Sequence, residues 1–560
     1  MSFASKAEFD ITCSHRINPS PYWLVATRFP TEQRRNTRLL RGPFFVLGPQ
    51  DRGDGTNMPK AKTPSDSYDR RCPSGVEGLD DILAGGLPEK CFYLIQGDPG
   101  SGKTTLALQF LLEGVRRGES VFYITLSETK AELLQVARSH GWSLENIPLL
   151  ELSAIEALLR PEAQTTVFHP SEVELNKISN LLLDNIRKLR PDRVVFDSLS
   201  EFRLIAETPL RYRRNLLNLK QEFAKQGSTV LLLDDKMDKS GIGVDPHVLS
   251  LTHGVVEMEQ LTPDYGTARR RLHVTKLRGV KYREGYHDYT IITGGLRVFP
   301  RLIAAEHHLD FRREPVSSGV AELDQLLGGG LDRGTTTLLI GAAGSGKSSL
   351  AVQYAVQFAR QGEQSSIFAF DETLGILVSR AEALGLPLKK HIEGGKVNAR
   401  QIDPAEISPG EFGWLVRKSV QAGSKLIVID SLNGYLNAMP GEKYLNNQLH
   451  ELTSYLNQQG IVTILIMAQH GMVTALEAPV DLSYLCDTVI NMRYFEAAGE
   501  MKQCLAVIKK RSGNHERSIR EFMLEGGKGI RIGQPIKEFQ GILTGAPKFV
   551  GNEQKIMHTS

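Results

Sequence analysis

Two octapeptides in this chain have the residue types and spacing to hold phosphate: Gly97-Asp98-Pro99-Gly100-Ser101-Gly102-Lys103-Thr104 and Gly341-Ala342-Ala343-Gly344-Ser345-Gly346-Lys347-Ser348. Both fit G-x-x-x-x-G-K-[ST]. In that loop backbone N–H groups cradle a phosphate chain, the lysine reaches the β- and γ-phosphates, and the hydroxyl helps to hold Mg²⁺. A chain with two such loops is expected to bind nucleotide twice.

The loop needs a strand before it and a helix after it, whose N-terminal partial charge adds to the phosphate site. The sequence supplies both. Cys91 to Ile95 is an apolar strand, and Thr104 to Arg116 carries apolar residues at helical spacing. A second strand, Val121 to Leu126, runs into Ser127-Glu128 and a helix from about Lys130. A third, Arg193 to Phe196, delivers Asp197 at its end, and a fourth covers Thr229 to Leu233. Short strands around Val255 to Met258 and Arg271 to Lys276 complete the unit.

Ligands of open parallel α/β sheets bind outside the C-terminal strand edge, where Asp197 can reach the Mg²⁺ of a nucleotide held by Lys103 and Thr104. Glu128 is expected next in sheet order to the phosphate site. There a carboxylate can orient or deprotonate the attacking water. A glutamate after a strand is more often a solvated neighbour of a helix cap, so its role depends on that placement.

The unit then begins again. Gly75 and Gly319, Lys103 and Lys347, and Glu128 and Glu372 all lie 244 residues apart, whereas Asp197 and Asp430, and Lys276 and Lys509, lie 233 apart. Collinear motifs with one net deletion of 11 residues indicate a duplicated domain. The expected layout is two α/β domains at 70–305 and 317–545, joined by a polar linker at 306–316, with a tail at 546–560. Residues 1–69 lack sustained periodicity and are expected to form a disordered extension, with Met58 as a candidate start. Glu8, Asp10 and Glu32 interrupt the acid-poor pattern of a mitochondrial presequence.

The second matched pair is basic: Lys276 with Arg278, and Lys509 with Arg511. Recurrence at equivalent positions suits cations that reach the phosphates of a neighbouring subunit, although exposed basic strand ends are common. The five cysteines form no C-x-x-C pair, which points to reduced thiols in a cytoplasmic protein. A net charge of +3 gives no support to a surface built wholly for nucleic acid or anionic lipid, and no apolar run is long enough to span a bilayer.

With these residues assembled, the chain resembles the KaiC family of RecA-like ATPases over about residues 70 to 545. The shared strings include Val274-Thr275-Lys276-Leu277-Arg278-Gly279, Asp430-Ser431-Leu432 and Ser518-Ile519-Arg520-Glu521-Phe522-Met523. The resemblance implies two tandem RecA-like domains, each a mostly parallel sheet flanked by helices, in a two-tiered homohexamer with ATP and Mg²⁺ between subunits. Hydrolysis falls to the first tier, and serine or threonine autophosphorylation to the second.

Carried over by position, the ATP contacts are Gly97, Gly100, Ser101, Gly102, Lys103, Thr104 and Thr105, and Gly341, Gly344, Ser345, Gly346, Lys347, Ser348 and Ser349. Thr104, Asp197, Ser348 and Asp430 are the implied Mg²⁺ residues. The family's paired catalytic carboxylates fall on Ser127-Glu128 and Asp371-Glu372, so the first site rests on Glu128 and the second keeps two acids. The family's phosphorylated Ser-Thr pair falls on Ser483-Tyr484, which leaves Ser483 as the acceptor and makes an ordered two-site cycle doubtful.

Two other readings compete. A DNA-dependent motor of the RecA or DnaB type shares the core, with DNA loops near 234–254 and 468–485. The second of these has no Lys or Arg, and the first mixes acids with a few lysines, which argues against DNA as the main partner. A nucleotide-gated scaffold with slow hydrolysis, binding a protein partner that the sequence does not name, is the other.

Overall fold

The computed structural model describes residues 70–151, 170–236, 246–263, 266–437, 445–469, 483–497 and 499–551. The extension expected at 1–69 and most of the two loops considered for DNA lie outside them.

Runs rich in Val, Ile, Leu and Phe that are buried on both faces form parallel strands, because only a sheet covered on both sides removes such runs from water. Among the described residues each half holds a nine-stranded sheet of the same order. The first runs Gly295–Phe299, His287–Ile292, Arg269–Leu277, Gly254–Leu261, Phe92–Gly97, Thr229–Asp235, Arg193–Asp197, Val121–Thr125, Leu149–Glu151. The second runs Gly529–Pro535, Arg520–Glu525, Glu500–Lys510, Thr488–Ala497, Thr336–Gly341, Val462–Ala468, Ser424–Asp430, Gln364–Ala369, Val397–Gln401. In each, six strands are parallel and the three at one end are antiparallel.

The expected adjacency of Glu128's strand to the phosphate-loop strand is corrected here. Thr229–Asp235 and Arg193–Asp197 lie between Phe92–Gly97 and Val121–Thr125. Local periodicity reports that a strand exists but not its partner, which depends on contacts far away in sequence. Two further antiparallel strands, His287–Ile292 and Gly295–Phe299, extend the sheet beyond those read from the sequence.

Successive residues of the central strand face opposite layers. Tyr93 and Ile95 pack with the phosphate-loop helix, whereas Phe92 and Leu94 pack with helices Pro170–Leu189 and Pro209–Gln226. The second half repeats this with Leu339 and Leu338. A β-bulge also recurs. In the first half Val255 pairs with Lys276 and Val256 with Val274, and in the second Val489 pairs with Lys509 and Ile490 with Val507. A bulge re-aims the residue beside it, and in both halves that residue is the basic one.

The halves meet through polar and aromatic contacts. Asp288 accepts the Gly410 N–H at 2.7 Å, the Ala405 carbonyl accepts the Thr267 N–H at 3.1 Å, and Trp414 packs on Phe299 with centroids 5.7 Å apart. A cavity of about 810 Å³ lies beside this seam.

Candidate functional site

Each phosphate loop leaves a buried strand and enters a helix of the same length, Lys103–Arg116 or Lys347–Arg360. Gly102 and Gly346, at φ 95° and 93°, turn the chain through the left-handed region that non-glycine residues avoid, and so open the first helical turn toward the loop. The loops' first glycines serve close approach. A Cβ on Gly97 would stand 2.5 Å from the Met258 carbonyl oxygen, and one on Gly341 would stand 2.0 Å from that of Met492.

In the first loop Lys103 Nζ donates to the carbonyls of Gly97 at 2.9 Å and Asp98 at 3.1 Å, and pairs with Asp235 Oδ1 at 2.9 Å. Thr104 donates to Glu128 Oε1 at 3.1 Å. The turn after Val121–Thr125 is fixed because the Thr125 hydroxyl both accepts the Glu128 N–H at 2.9 Å and donates to the Glu128 carbonyl at 2.7 Å. Glu128 thus reaches the phosphate loop across two intervening strands. Burial, followed by the nearby Asp197 charge, raises its carboxyl above the ordinary value.

Asp197 accepts from the Tyr123 hydroxyl at 2.7 Å and from Ser127 at 3.3 Å, and burial raises its carboxyl too. Glu128 Oε2 is buried and has no hydrogen-bond partner.

The second loop is built alike but charged differently. Lys347 Nζ donates to Gly341 at 3.0 Å, Ala342 at 2.7 Å and Ser345 Oγ at 3.5 Å, and burial brings its ammonium down to about 8. Burial lifts Asp430 to about 6 against the pull of its Ser348 hydrogen bond. Asp371 accepts from Ser431, and Glu372 is gripped through both oxygens by Arg380 at 2.7 and 2.8 Å. Each centre therefore gathers a lysine, a hydroxyl, a strand-end aspartate and a glutamate. The oxygen donors Thr104 with Asp197 and Ser348 with Asp430 suit a hard cation such as Mg²⁺, and the unpartnered Glu128 oxygen suits a polar occupant beside it.

The basic pairs lie elsewhere. Lys276 donates to the carbonyls of Leu249 and Thr252, and Arg278 to that of Ser250. Lys509 donates to those of Ser483 and Cys486, and Arg511 to that of Tyr484. Register puts these residues at the opposite strand edge from their own loop: Thr337 pairs with Thr488, which pairs with Lys510, whereas Gly341 pairs with Met492. Along the strand Lys276 and Lys509 stand three residues from the loop edge, roughly 10 Å, and Arg278 and Arg511 five residues, roughly 16 Å. Ser483 stands at that same far edge, in the short turn Ser483–Leu485.

Three charged residues near the loops were not found from sequence: Asp234, Asp235 and Arg380. Asp234 is buried, with its carboxylate on Arg203 at 2.7 Å and Ser200 at 2.8 Å. The acid doublet ending an apolar strand was a readable signal, parallel to Asp197. Arg380 had none, because it meets Glu372 only through the folding of the helix Leu374–Ala383.

The family model for the KaiC ATPase matches the chain twice, at residues 72–303 and 316–537. The chain is 26% identical over 514 residues to the circadian clock oscillator protein KaiC of Parasynechococcus marenigrum, covering 89% of this chain and 97% of that protein. It is 28% identical over 491 residues to the circadian clock protein KaiC3 of Synechocystis sp., covering 86% and 95%. It is also 27% identical over 496 residues to KaiC of Synechococcus elongatus, covering 86% and 92%.

Proposed function

As the chain belongs to the KaiC family of ATPases, we propose that it is a ring-forming, Mg²⁺-dependent ATPase whose nucleotide state is its signalling output. The observation that carries this reading is the doubled arrangement of loop lysine, hydroxyl, strand-end aspartate and glutamate on one sheet edge, with a basic pair on the other edge in each half. Arg278 and Arg511, roughly 16 Å along the strand from their own loops, are placed to serve a neighbouring copy's nucleotide. Head-to-tail contacts of that kind close into rings, and the relatives' family supplies six as the number.

In this reading Lys103 and Lys347 hold the β- and γ-phosphates, while Thr104 with Asp197 and Ser348 with Asp430 would hold Mg²⁺, which would supply neutralisation of the phosphate charge. Glu128 takes a proton from the water that attacks the γ-phosphorus, and ADP leaves as the β–γ bridge breaks. Arg278 and Arg511, with Lys276 and Lys509, reach across the seams. In the second half Ser483 is the acceptor hydroxyl, and Asp371 or Glu372 the base that deprotonates it. The functional domains are 70–305 and 317–545, and the protein acts in the cytoplasm, in keeping with buried Cys72, Cys91, Cys486 and Cys504, which form no disulfide.

The Arg380 grip on Glu372 favours a second reading for the second half, in which turnover is slow and ATP occupancy itself gates a partner.

Particle size with and without Mg²⁺-ATP, together with ATPase rates of Glu128→Gln and Glu372→Gln, tests the proposal. Expected are ATP-dependent assembly and a loss of about 100-fold or more in first-site turnover for Glu128→Gln. A monomer indifferent to ATP overturns it. After incubation with Mg²⁺-ATP, peptide mapping should place phosphate on Ser483; phosphate solely at other residues removes that assignment.

A further inference from the structure

Resting on the reading that both loops bind ATP, we infer that Asp235 lowers the nucleotide affinity of the first site by competing with phosphate for Lys103. An ammonium has three donors. Those of Lys103 go to the Gly97 carbonyl, the Asp98 carbonyl and Asp235 Oδ1 at 2.9 Å. An arriving phosphate chain must take Lys103 away from Asp235, then share the loop with a carboxylate that has lost its cation.

Among the described residues the second site lacks this competitor. Gly97 pairs with Asp235 in the first sheet, and the equivalent Gly341 pairs with Ala468 in the second. Lys347 keeps the two loop carbonyls and turns its third donor to Ser345 Oγ at 3.5 Å, a neutral and distant acceptor. Phosphate displaces that contact with no charge left exposed.

Among the described residues, neighbouring charges do not relieve Asp235. The adjacent Asp234 takes Arg203 for itself at 2.7 Å. Lys236, next along the chain, turns to Glu259 at 3.1 Å and Glu257 at 3.8 Å. The Asp235 backbone is held in place, its N–H on Asp234 Oδ1 at 3.1 Å and Ser200 Oγ at 3.4 Å, while the Ser200 hydroxyl donates to Asp234 at 2.8 Å. The Asp235 side chain is half exposed, so its replacement leaves the core intact.

The test is equilibrium titration with Mg²⁺ and a fluorescent derivative of the non-hydrolysable analogue adenylyl imidodiphosphate, in the full chain carrying Lys347→Ala so that only the first site reports. Asp235→Asn and Asp235→Ala should each tighten binding about tenfold, or about 1.4 kcal/mol. In the reciprocal chain, Lys103→Ala with Ala468→Asp, the second site should weaken by a similar factor. Unchanged or weaker binding in both Asp235 variants overturns the inference. If Lys103→Ala also removes the first-site signal, the ATP reading survives that failure. If the Lys347→Ala chain binds no analogue that depends on Lys103, both fall together.

Discussion

At the scale of single residues the two halves differ in what restrains each glutamate. Arg380 occupies both oxygens of Glu372, and the position 244 residues earlier is Val136. A carboxylate in a bidentate guanidinium pair is a weaker base for a water proton, because the cation stabilises its charge and fixes its orientation. Arg380→Met keeps an apolar stem of similar length, and in a Lys103→Ala background it should raise second-site hydrolysis about fivefold by steady-state phosphate release. A fall would show that the arginine orients the base productively. His287 supports a separate prediction about stability. Its Nε2–H donates to the Arg283 carbonyl at 3.0 Å and its Nδ1 accepts the Arg301 N–H at 2.8 Å, so the ring is held neutral. Burial brings it from the ordinary 6.5 to about 4, with Arg283 and Arg301 adding to the fall. The unfolded chain takes up this proton near pH 6.5 and the folded chain only near 4, so the stability His287 contributes is complete above 6.5 and lost as pH falls toward 4. It amounts to about 3 kcal/mol. His287→Gln should flatten the unfolding free energy across that window, read by urea titration at several pH values, and an unchanged acid slope would remove His287 as the cause.

At the scale of elements, each phosphate loop depends on a strand that leaves no room at its last residue. A methyl on Gly341 would meet the Met492 carbonyl at 2.0 Å, and that carbonyl belongs to the neighbouring strand, so the clash cannot be relieved by turning a side chain. Gly341→Ala should cost about 2–4 kcal/mol and abolish nucleotide binding at the second site while sparing the first. Calorimetry with site-resolved titration distinguishes this from a harmless change. The same elements show what the sequence could disclose. The loop helix begins at Lys103, one residue from the sequence reading, because glycines and the apolar run mark both its ends. The duplication was legible because the motifs keep their spacing. Sheet order was not, since Val121–Thr125 looks the same from within whether its neighbour is Phe92–Gly97 or Arg193–Asp197. Nor was the hairpin of His287–Ile292 and Gly295–Phe299, whose short, partly exposed strands carry a weak apolar signal. At the site, the residues read from motifs lie together around each loop, whereas Asp235 was passed over despite its place in an acid doublet, and Arg380 meets Glu372 only through the fold.

At the scale of the whole molecule, the basic pairs and the phosphate loops occupy opposite edges of the same sheets. If each nucleotide is completed by a neighbour, a subunit contributes to two sites: it gives its loop and Glu128 to one seam, and Arg278 to the next. Defects of the two kinds should then complement. In a Lys347→Ala background, rings of Glu128→Gln alone and rings of Arg278→Ala alone should both be nearly inactive. When the two are mixed one to one and reassembled, a seam works where an Arg278→Ala subunit supplies the loop and a Glu128→Gln subunit supplies the arginine. Random assembly gives that arrangement at about one seam in four, so roughly a quarter of the parent rate should return. Were Arg278 to act on the nucleotide of its own chain, every subunit in the mixture would carry a fatal defect and no activity would return at any ratio. The restored fraction should also follow the product of the two variants' proportions, with its maximum at equal amounts, which separates complementation from a contaminating active species.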